Sequence, residues 1–173
     1  MGYLRRSIGS RNTGSIEIYM IMKSKQVLSI EQMRHLQNLG LDTSDASMVL
    51  IAIDDDSCPL DWETALEAMS THLYDVSFDL FDADSPYYDH SYRKDCGVFT
   101  LQDIIGLLPK EIKIGADTYW LTISIYDCNV WYICYSMSDE FDYFQEFKSE
   151  LLIDCAYNML CWCVENRYIK KGE

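Results

Sequence analysis

The chain has 173 residues, of which 49% are hydrophobic and 24% are charged, a composition typical of a single folded domain. It contains no apolar run of the roughly 18 to 20 residues that a membrane-spanning helix needs, and its beginning lacks the pattern of a secretory signal. We therefore expect a globular cytoplasmic protein without a membrane segment.

The charge is strongly acidic and unevenly distributed. Lys and Arg total 14 against 28 Asp and Glu, a net charge of −14. Residues 1–25 contain five basic residues and one acidic residue, which leaves a net of −18 for the remainder. We predict a basic, flexible tail over residues 1–25 and a single α+β domain over residues 26–173. A domain this acidic repels nucleic acid and anionic lipid, so a basic protein is the expected partner.

The seven cysteines show no Cys-x-x-Cys spacing, which argues against a zinc finger or a thioredoxin-like site. They are expected to be reduced thiols, most of them small core residues. No cofactor is predicted.

The first half of the chain alternates helical and strand patterns. Ser29 and Gln32 form the capping box of a helix that Gly40 ends, and an apolar strand follows at residues 48–53. Asp61 is the predicted N-cap of a second helix. In residues 76–80 apolar and polar residues then alternate, which predicts a strand with one solvent-exposed face. Residues 82–97 are predicted to be a long loop.

The second half begins with a helix capped by Thr100 and Asp103, and Pro109 ends it. A short strand at 112–114 and a hairpin of strands at 119–126 and 130–137 follow. The last helix is expected over about residues 151–166, with Ser149 as its cap. On this helix the pattern places Cys155 and Cys163 in the core and turns Cys161 toward water or a partner. Together these elements predict a single α+β domain, with an antiparallel sheet of about four or five strands packed against three or four helices.

The catalytic sequence motifs that we compared with this chain are incomplete in it. Gly9 and Gly14 have the spacing of a phosphate-binding loop, but Ser15 and Ile16 stand where Lys and Ser/Thr are required. A Cys-His nucleophile built from Cys96 with His90 or His72 has no support in the local sequence. The chain is therefore predicted to be non-enzymatic.

Metal binding is an alternative interpretation of the acidic loop that is predicted after residue 82. Asp82, Asp84, Asp89 and His90 offer oxygen and nitrogen donors for magnesium or calcium, with a further carboxylate from residues 54–56. They define an alternative function, a metal-dependent hydrolase that uses the 82–95 loop. A solvated acidic loop is the simpler interpretation.

The most unusual local composition lies at residues 139–147, where four aromatic residues are interspersed with four acidic ones. Aromatic anchors with nearby carboxylates suit a basic protein groove. The predicted partner-binding residues are Phe141, Asp142, Tyr143, Phe144 and Glu146. The competing interpretation is a connecting loop or helical turn whose aromatic side chains cover the sheet.

Two separated blocks carry a resemblance to a known family. They are residues 100–110 (TLQDIIGLLPK) and residues 156–169, which contain AYNMLCW followed by Glu165, Asn166, Tyr168 and Ile169. From about Ile30 to the C-terminus the chain resembles short acidic proteins encoded in prophages and mobile elements of gut Bacteroidales. That family carries no established activity, so the resemblance implies only a bacterial cytoplasm and a phage-related setting.

The sequence thus favours an accessory protein that binds a basic protein surface, in its sharper version a mimic of nucleic acid. A homo-oligomer with Trp162 and the last helix as its contact face is a further possibility.

Overall fold

The computed structural model describes residues 26–53, 59–71, 77–82, 96–126, 129–137 and 143–169. Within them lie four helices and eight strands. The helices are α1 (Ile30–Asn38), α2 (Trp62–Thr71), α3 (Leu101–Leu107) and α4 (Leu152–Glu165). The strands are β1 (Met48–Ile53), β2 (Pro59–Leu60), β3 (Ser77–Asp82), β4 (Gly97–Val98), β5 (Glu111–Ile114), β6 (Asp117–Tyr126), β7 (Val130–Ser136) and β8 (Tyr143–Ser149). The predicted tail over residues 1–25 lies outside the described residues.

The strands form two antiparallel sheets. In the first sheet, β1 is central: β3 pairs along one edge, while β2 and β4 pair with opposite ends of the other edge. Residues 49–52 of β1 are all buried, so the side chains on both faces of this central strand are covered. This is the continuous apolar run that the sequence showed at this point.

The second sheet has the order β5-β6-β7-β8. β5 and β6 are joined by a two-residue turn, in which Gly115 adopts a φ of 63° that side chains disfavour. Helix α4 packs against β7 and β8 and also against α3. The sheet therefore has one face covered by α4, the helix face. The opposite face, which we call the open face, carries Tyr132 and Cys134 of β7, and both of these side chains are buried.

A single hydrophobic core joins the two sheets. It includes Met33 and Leu36 of α1, Leu50 of β1, Ile133 of β7 and Met159 of α4, all at 0% exposure. A continuous core of this kind is what defines one domain. The predicted single-domain α+β class is confirmed, with the strands divided between two sheets.

The local predictions agree closely with the structure. Both capping boxes form, at Ser29 with Gln32 and at Thr100 with Asp103, and Gly40 ends α1 with a φ of 85°. The Thr64 amide donates to Asp61 Oδ1 at 2.9 Å, as expected of an N-cap.

The cap predicted for the last helix is wrong. Ser149 is the final residue of β8, and its hydroxyl accepts from the Leu151 amide at 3.2 Å. Leu151 itself is the N-cap of α4, and no side chain caps the helix there. In the described ranges, none of the helices is long and apolar enough to cross a membrane.

Candidate functional site

The aromatic and acidic segment is a strand from Tyr143 onward, and not a loop or helical turn. Tyr143, Phe144 and Glu146 all belong to β8, which pairs with β7. Phe141 and Asp142 lie outside the described residues. Three of the five predicted partner-binding residues can therefore be located, and they lie on the last strand of the second sheet.

A β-bulge decides which way Phe144 points. Tyr135 pairs with Gln145 and Ser136 pairs with Tyr143, so Phe144 is an extra residue with no counterpart in β7. In a regular strand, Phe144 would lie opposite Ser136 and share its face of the sheet. Instead its ring contacts aromatic residues on the helix face.

These contacts define a four-residue aromatic cluster consisting of Tyr119, Phe144, Trp162 and Tyr168. The Phe144 ring lies at its centre, with centroid distances of 5.1 Å to Tyr119, 5.7 Å to Trp162 and 6.5 Å to Tyr168. Trp162 and Tyr168 are 5.0 Å apart. Phe144 is 38% exposed and the other three side chains are half-buried, so the cluster reaches the surface.

The position of Tyr168 depends on the turn that ends α4. Arg167 adopts a left-handed φ of 64°, its amide donates to the Val164 carbonyl at 3.2 Å, and the Tyr168 amide donates to the Cys163 carbonyl at 2.9 Å. This is the Schellman motif, which reverses the chain and folds the following residue back onto the helix. It brings the ring of Tyr168 against Trp162 and Phe144.

Sequence reasoning missed most of this cluster. Trp162 was predicted only as part of a possible dimer contact, and no site role was predicted for Tyr119 or Tyr168. In a sequence, a Schellman motif is usually recognised by a glycine at its left-handed position. This chain has Arg167 at that position, so the usual signal is missing.

Tyr143 lies on the open face, away from the cluster. Its ring meets that of Tyr132 edge to face at 5.3 Å. The Tyr132 hydroxyl donates to Glu146 Oε2 at 3.1 Å, and Lys148 Nζ lies 3.2 Å from Glu146 Oε1. The carboxylate of Glu146 is therefore already engaged within the strand pair, and burial raises the pKa of Tyr132 well above its ordinary value.

The ion pairs between described residues lie on the surface. They join Lys113 with Glu111 and Lys148 with Glu146, and all four side chains are substantially exposed. Exposed pairs of this kind contribute little to stability. The excess of negative charge therefore acts mainly through the long-range electrostatic potential around the protein, which attracts positively charged molecules.

The metal prediction falls mostly outside the described residues. Asp82 ends β3 and is exposed, whereas Asp84, Asp89, His90 and residues 54–56 are not described. Among the described side chains, no three His, Cys, Asp or Glu residues come together in a way that could hold a metal ion. The metal site stays a prediction.

The prediction that Cys161 faces water or a partner is wrong. Cys161 is 8% exposed, and its sulfur lies 3.7 Å from His35 Nδ1 because α1 covers this side of α4. The same His35 nitrogen lies 2.6 Å from the Tyr157 hydroxyl oxygen. Burial raises the pKa of the Cys161 thiol, so the thiol stays protonated and is a poor nucleophile despite its histidine neighbour. Cys155 and Cys163 are fully buried, as predicted.

A groove of about 690 Å³ lies between the starts of α3 and α4. Leu101, Leu151 and Leu152 form much of its apolar wall, and Ser47, Thr100 and Asp103 form a polar end. Asp103 Oδ2 accepts from the Thr100 amide at 2.7 Å and from the Ser47 hydroxyl at 2.7 Å. These polar groups are satisfied by one another and serve the capping of α3.

In comparisons with protein-family models, curated proteins and solved structures, no match to this chain was found. The candidate site therefore rests on the chain's own geometry, and among the described residues the aromatic cluster is the most distinctive surface feature.

Proposed function

We propose that this protein is a non-enzymatic accessory protein that binds a basic protein surface through the aromatic cluster. The observation that carries the proposal is the position of Phe144, 38% exposed at the centre of three other aromatic rings. Aromatic side chains that are held in place before binding lose little conformational freedom when a partner covers them.

The cluster suits basic side chains in particular. A guanidinium or ammonium group is attracted to the face of an aromatic ring, and Trp162, Tyr119 and Tyr168 supply such rings beside Phe144. The net charge of −14 adds long-range attraction, which accelerates the encounter with a basic partner. Nucleic acid is disfavoured as a direct ligand, because the negative charge of the protein repels its phosphate groups.

The biological setting comes from the resemblance to prophage and mobile-element proteins. A phage-related protein in a bacterial cytoplasm that masks a basic host or phage surface fits the charge. In the sharper version of the proposal, the acidic surface imitates nucleic acid and blocks a DNA-binding protein.

The direct test is affinity capture with the full-length chain from nuclease-treated bacterial lysate, at low and at high salt. We expect one basic protein to be recovered repeatedly at low salt and to be lost as salt rises, because screening weakens attraction between exposed charges. Recovery of acidic proteins alone, or of no specific protein at either salt, would contradict the proposal.

A pair of matched variants then locates the contact. Phe144→Ala removes the central ring of the cluster, whereas Tyr143→Ala removes the neighbouring ring, which is equally exposed at 38% but lies on the open face. We expect Phe144→Ala to weaken binding of the captured partner about tenfold or more and Tyr143→Ala to have a much smaller effect. The reverse order would place the contact on the open face, and thermal unfolding of both variants controls for loss of structure.

A further inference from the structure

The aromatic cluster has an exposed carboxylate beside it. Asp117 and Tyr119 are two residues apart in β6, so their side chains leave the same face of the sheet roughly 6–7 Å apart. Tyr119 contacts Phe144 on the helix face, which places Asp117 on that face at the edge of the cluster. Asp117 is exposed and forms no ion pair with another described residue.

The end of α4 adds further negative charge at the cluster. Glu165 is exposed and follows Trp162 by three residues, a spacing at which side chains on a helix are neighbours. The C-terminal end of a helix carries a partial negative charge, and the last turn of α4 contains no basic residue. Arg167, in the turn after the helix, is exposed and pairs with no described carboxylate. The surroundings of the cluster therefore favour a cation.

The distances between the rings decide how a cation can bind. A group held between two ring faces needs each face about 3.5–4 Å away, so the two rings have to be about 7–8 Å apart. The neighbouring rings of the cluster have centroid distances of only 5.0–6.5 Å. They touch one another and cannot enclose an ammonium group on several sides, as an aromatic cage does. A cation therefore binds on the outside of the cluster.

We propose that the cluster and Asp117 form a binding site for an arginine side chain of the basic partner. The planar guanidinium group stacks on the aromatic surface while its N–H groups donate to the Asp117 carboxylate. A guanidinium is suited to both contacts, because it is weakly hydrated, flat and able to pair with a carboxylate through two donors. A lysine ammonium is a strongly hydrated point charge and gains less from this arrangement.

This inference rests on the proposed function and deepens it, since it names the side chain that the cluster recognises. It does not follow from the acidic charge alone, because the net charge of −14 attracts arginine and lysine equally. Discrimination between the two side chains is therefore the property to measure.

The first test compares two synthetic peptides of equal length and net charge, which carry either arginine or lysine at the same positions. Each is titrated into the full-length chain by isothermal titration calorimetry in about 0.15 M salt, where long-range attraction is screened. We expect the arginine peptide to bind about tenfold more tightly. Phe144→Ala should weaken binding of the arginine peptide about tenfold, because it removes the central ring. The comparison of the peptides on the unmodified chain does not depend on any variant.

The second test removes the carboxylate. Asp117→Asn keeps the shape of the side chain and should weaken the arginine peptide about fivefold or more, with a much smaller effect on the lysine peptide. Asp45→Asn is the matched control, since Asp45 is an exposed carboxylate between α1 and β1 and its loss changes the net charge equally. Asp117→Glu keeps a carboxylate and should retain most of the preference for arginine.

The possible failures separate this inference from the proposed function. Equal affinities for the two peptides, with loss of both in Phe144→Ala, would overturn the arginine site and leave the proposed function standing. An effect of Asp117→Asn no larger than that of Asp45→Asn would also overturn the arginine site alone. If neither peptide bound even at low salt, both proposals would be contradicted.

Discussion

The hydroxyl of Tyr135 donates a hydrogen bond of 2.7 Å to the carbonyl oxygen of Pro109, and so joins strand β7 to the turn after helix α3. Tyr135 is fully buried and Pro109 is half-buried, so water replaces the hydroxyl less readily here than at an exposed site. We expect Tyr135→Phe to lower the free energy of unfolding by about 1–2 kcal/mol, because a carbonyl oxygen is left unsatisfied. Urea denaturation measures this loss.

Tyr132→Phe is the matched control. The Tyr132 hydroxyl also donates a hydrogen bond, but its acceptor is Glu146, whose carboxylate is exposed and can be solvated by water. Its loss of stability should be clearly smaller. Equal effects of the two substitutions would show that the bond to Pro109 has no special structural value.

A second connection joins the segment before β1 to α3. The Ser47 hydroxyl donates to Asp103 Oδ2 at 2.7 Å, and the Thr100 hydroxyl donates to the same oxygen at 2.9 Å. Ser47→Ala should cost about 1 kcal/mol. In a double-mutant cycle with Asp103→Ala the two residues should show a coupling of about 1 kcal/mol, and additive effects would contradict a direct interaction.

The features predicted correctly from the sequence are those that depend on neighbouring residues. The capping boxes at Ser29 and Thr100 and the reversal at Gly40 require only residues within one turn of helix, so their patterns are visible in the chain itself. The strands of the β6–β7 hairpin were also predicted, because their β-branched and aromatic content is local.

The features that were missed depend on contacts distant in sequence. Cys161 lies on the polar side of α4 by its periodicity, yet α1 covers it through His35, which is 126 residues away. The bulge at Phe144 is a property of the register between β7 and β8 and leaves no mark in the composition of either strand. The aromatic cluster could not be assembled from the sequence because its members come from β6, β8, α4 and the final turn.

The final turn itself leads to a prediction about stability. Arg167 occupies a left-handed conformation that costs a side-chain-bearing residue about 1–2 kcal/mol, whereas glycine adopts it freely. Glycine also has more freedom in the unfolded chain, which offsets part of the gain. Arg167→Gly should therefore stabilise the protein by up to about 1 kcal/mol. Arg167→Ala removes the same guanidinium but keeps the strain, so a similar gain in this variant would point to charge and not to backbone conformation.

The pH dependence of stability should reflect the buried thiol of Cys163. Burial raises the pKa of this thiol to about 11, and the hydrogen bond with Tyr135 offsets only part of the effect. In the unfolded chain the thiol ionises near about 8.5. Between these two values the unfolded state has lost the proton and the folded state has kept it, so stability falls as pH rises through this window.

The measurement compares the native chain with Cys163→Ala by urea denaturation between about pH 8 and about pH 11. The native chain should lose more stability over this range than the variant, even though the variant is less stable at the lower pH because of the cavity it leaves. Burial also raises the pKa of Cys134, Cys155 and Cys161, but these thiols are common to both proteins, so their contribution cancels in the comparison. Parallel losses in the two proteins would show that Cys163 ionises in the folded state as readily as in the unfolded chain.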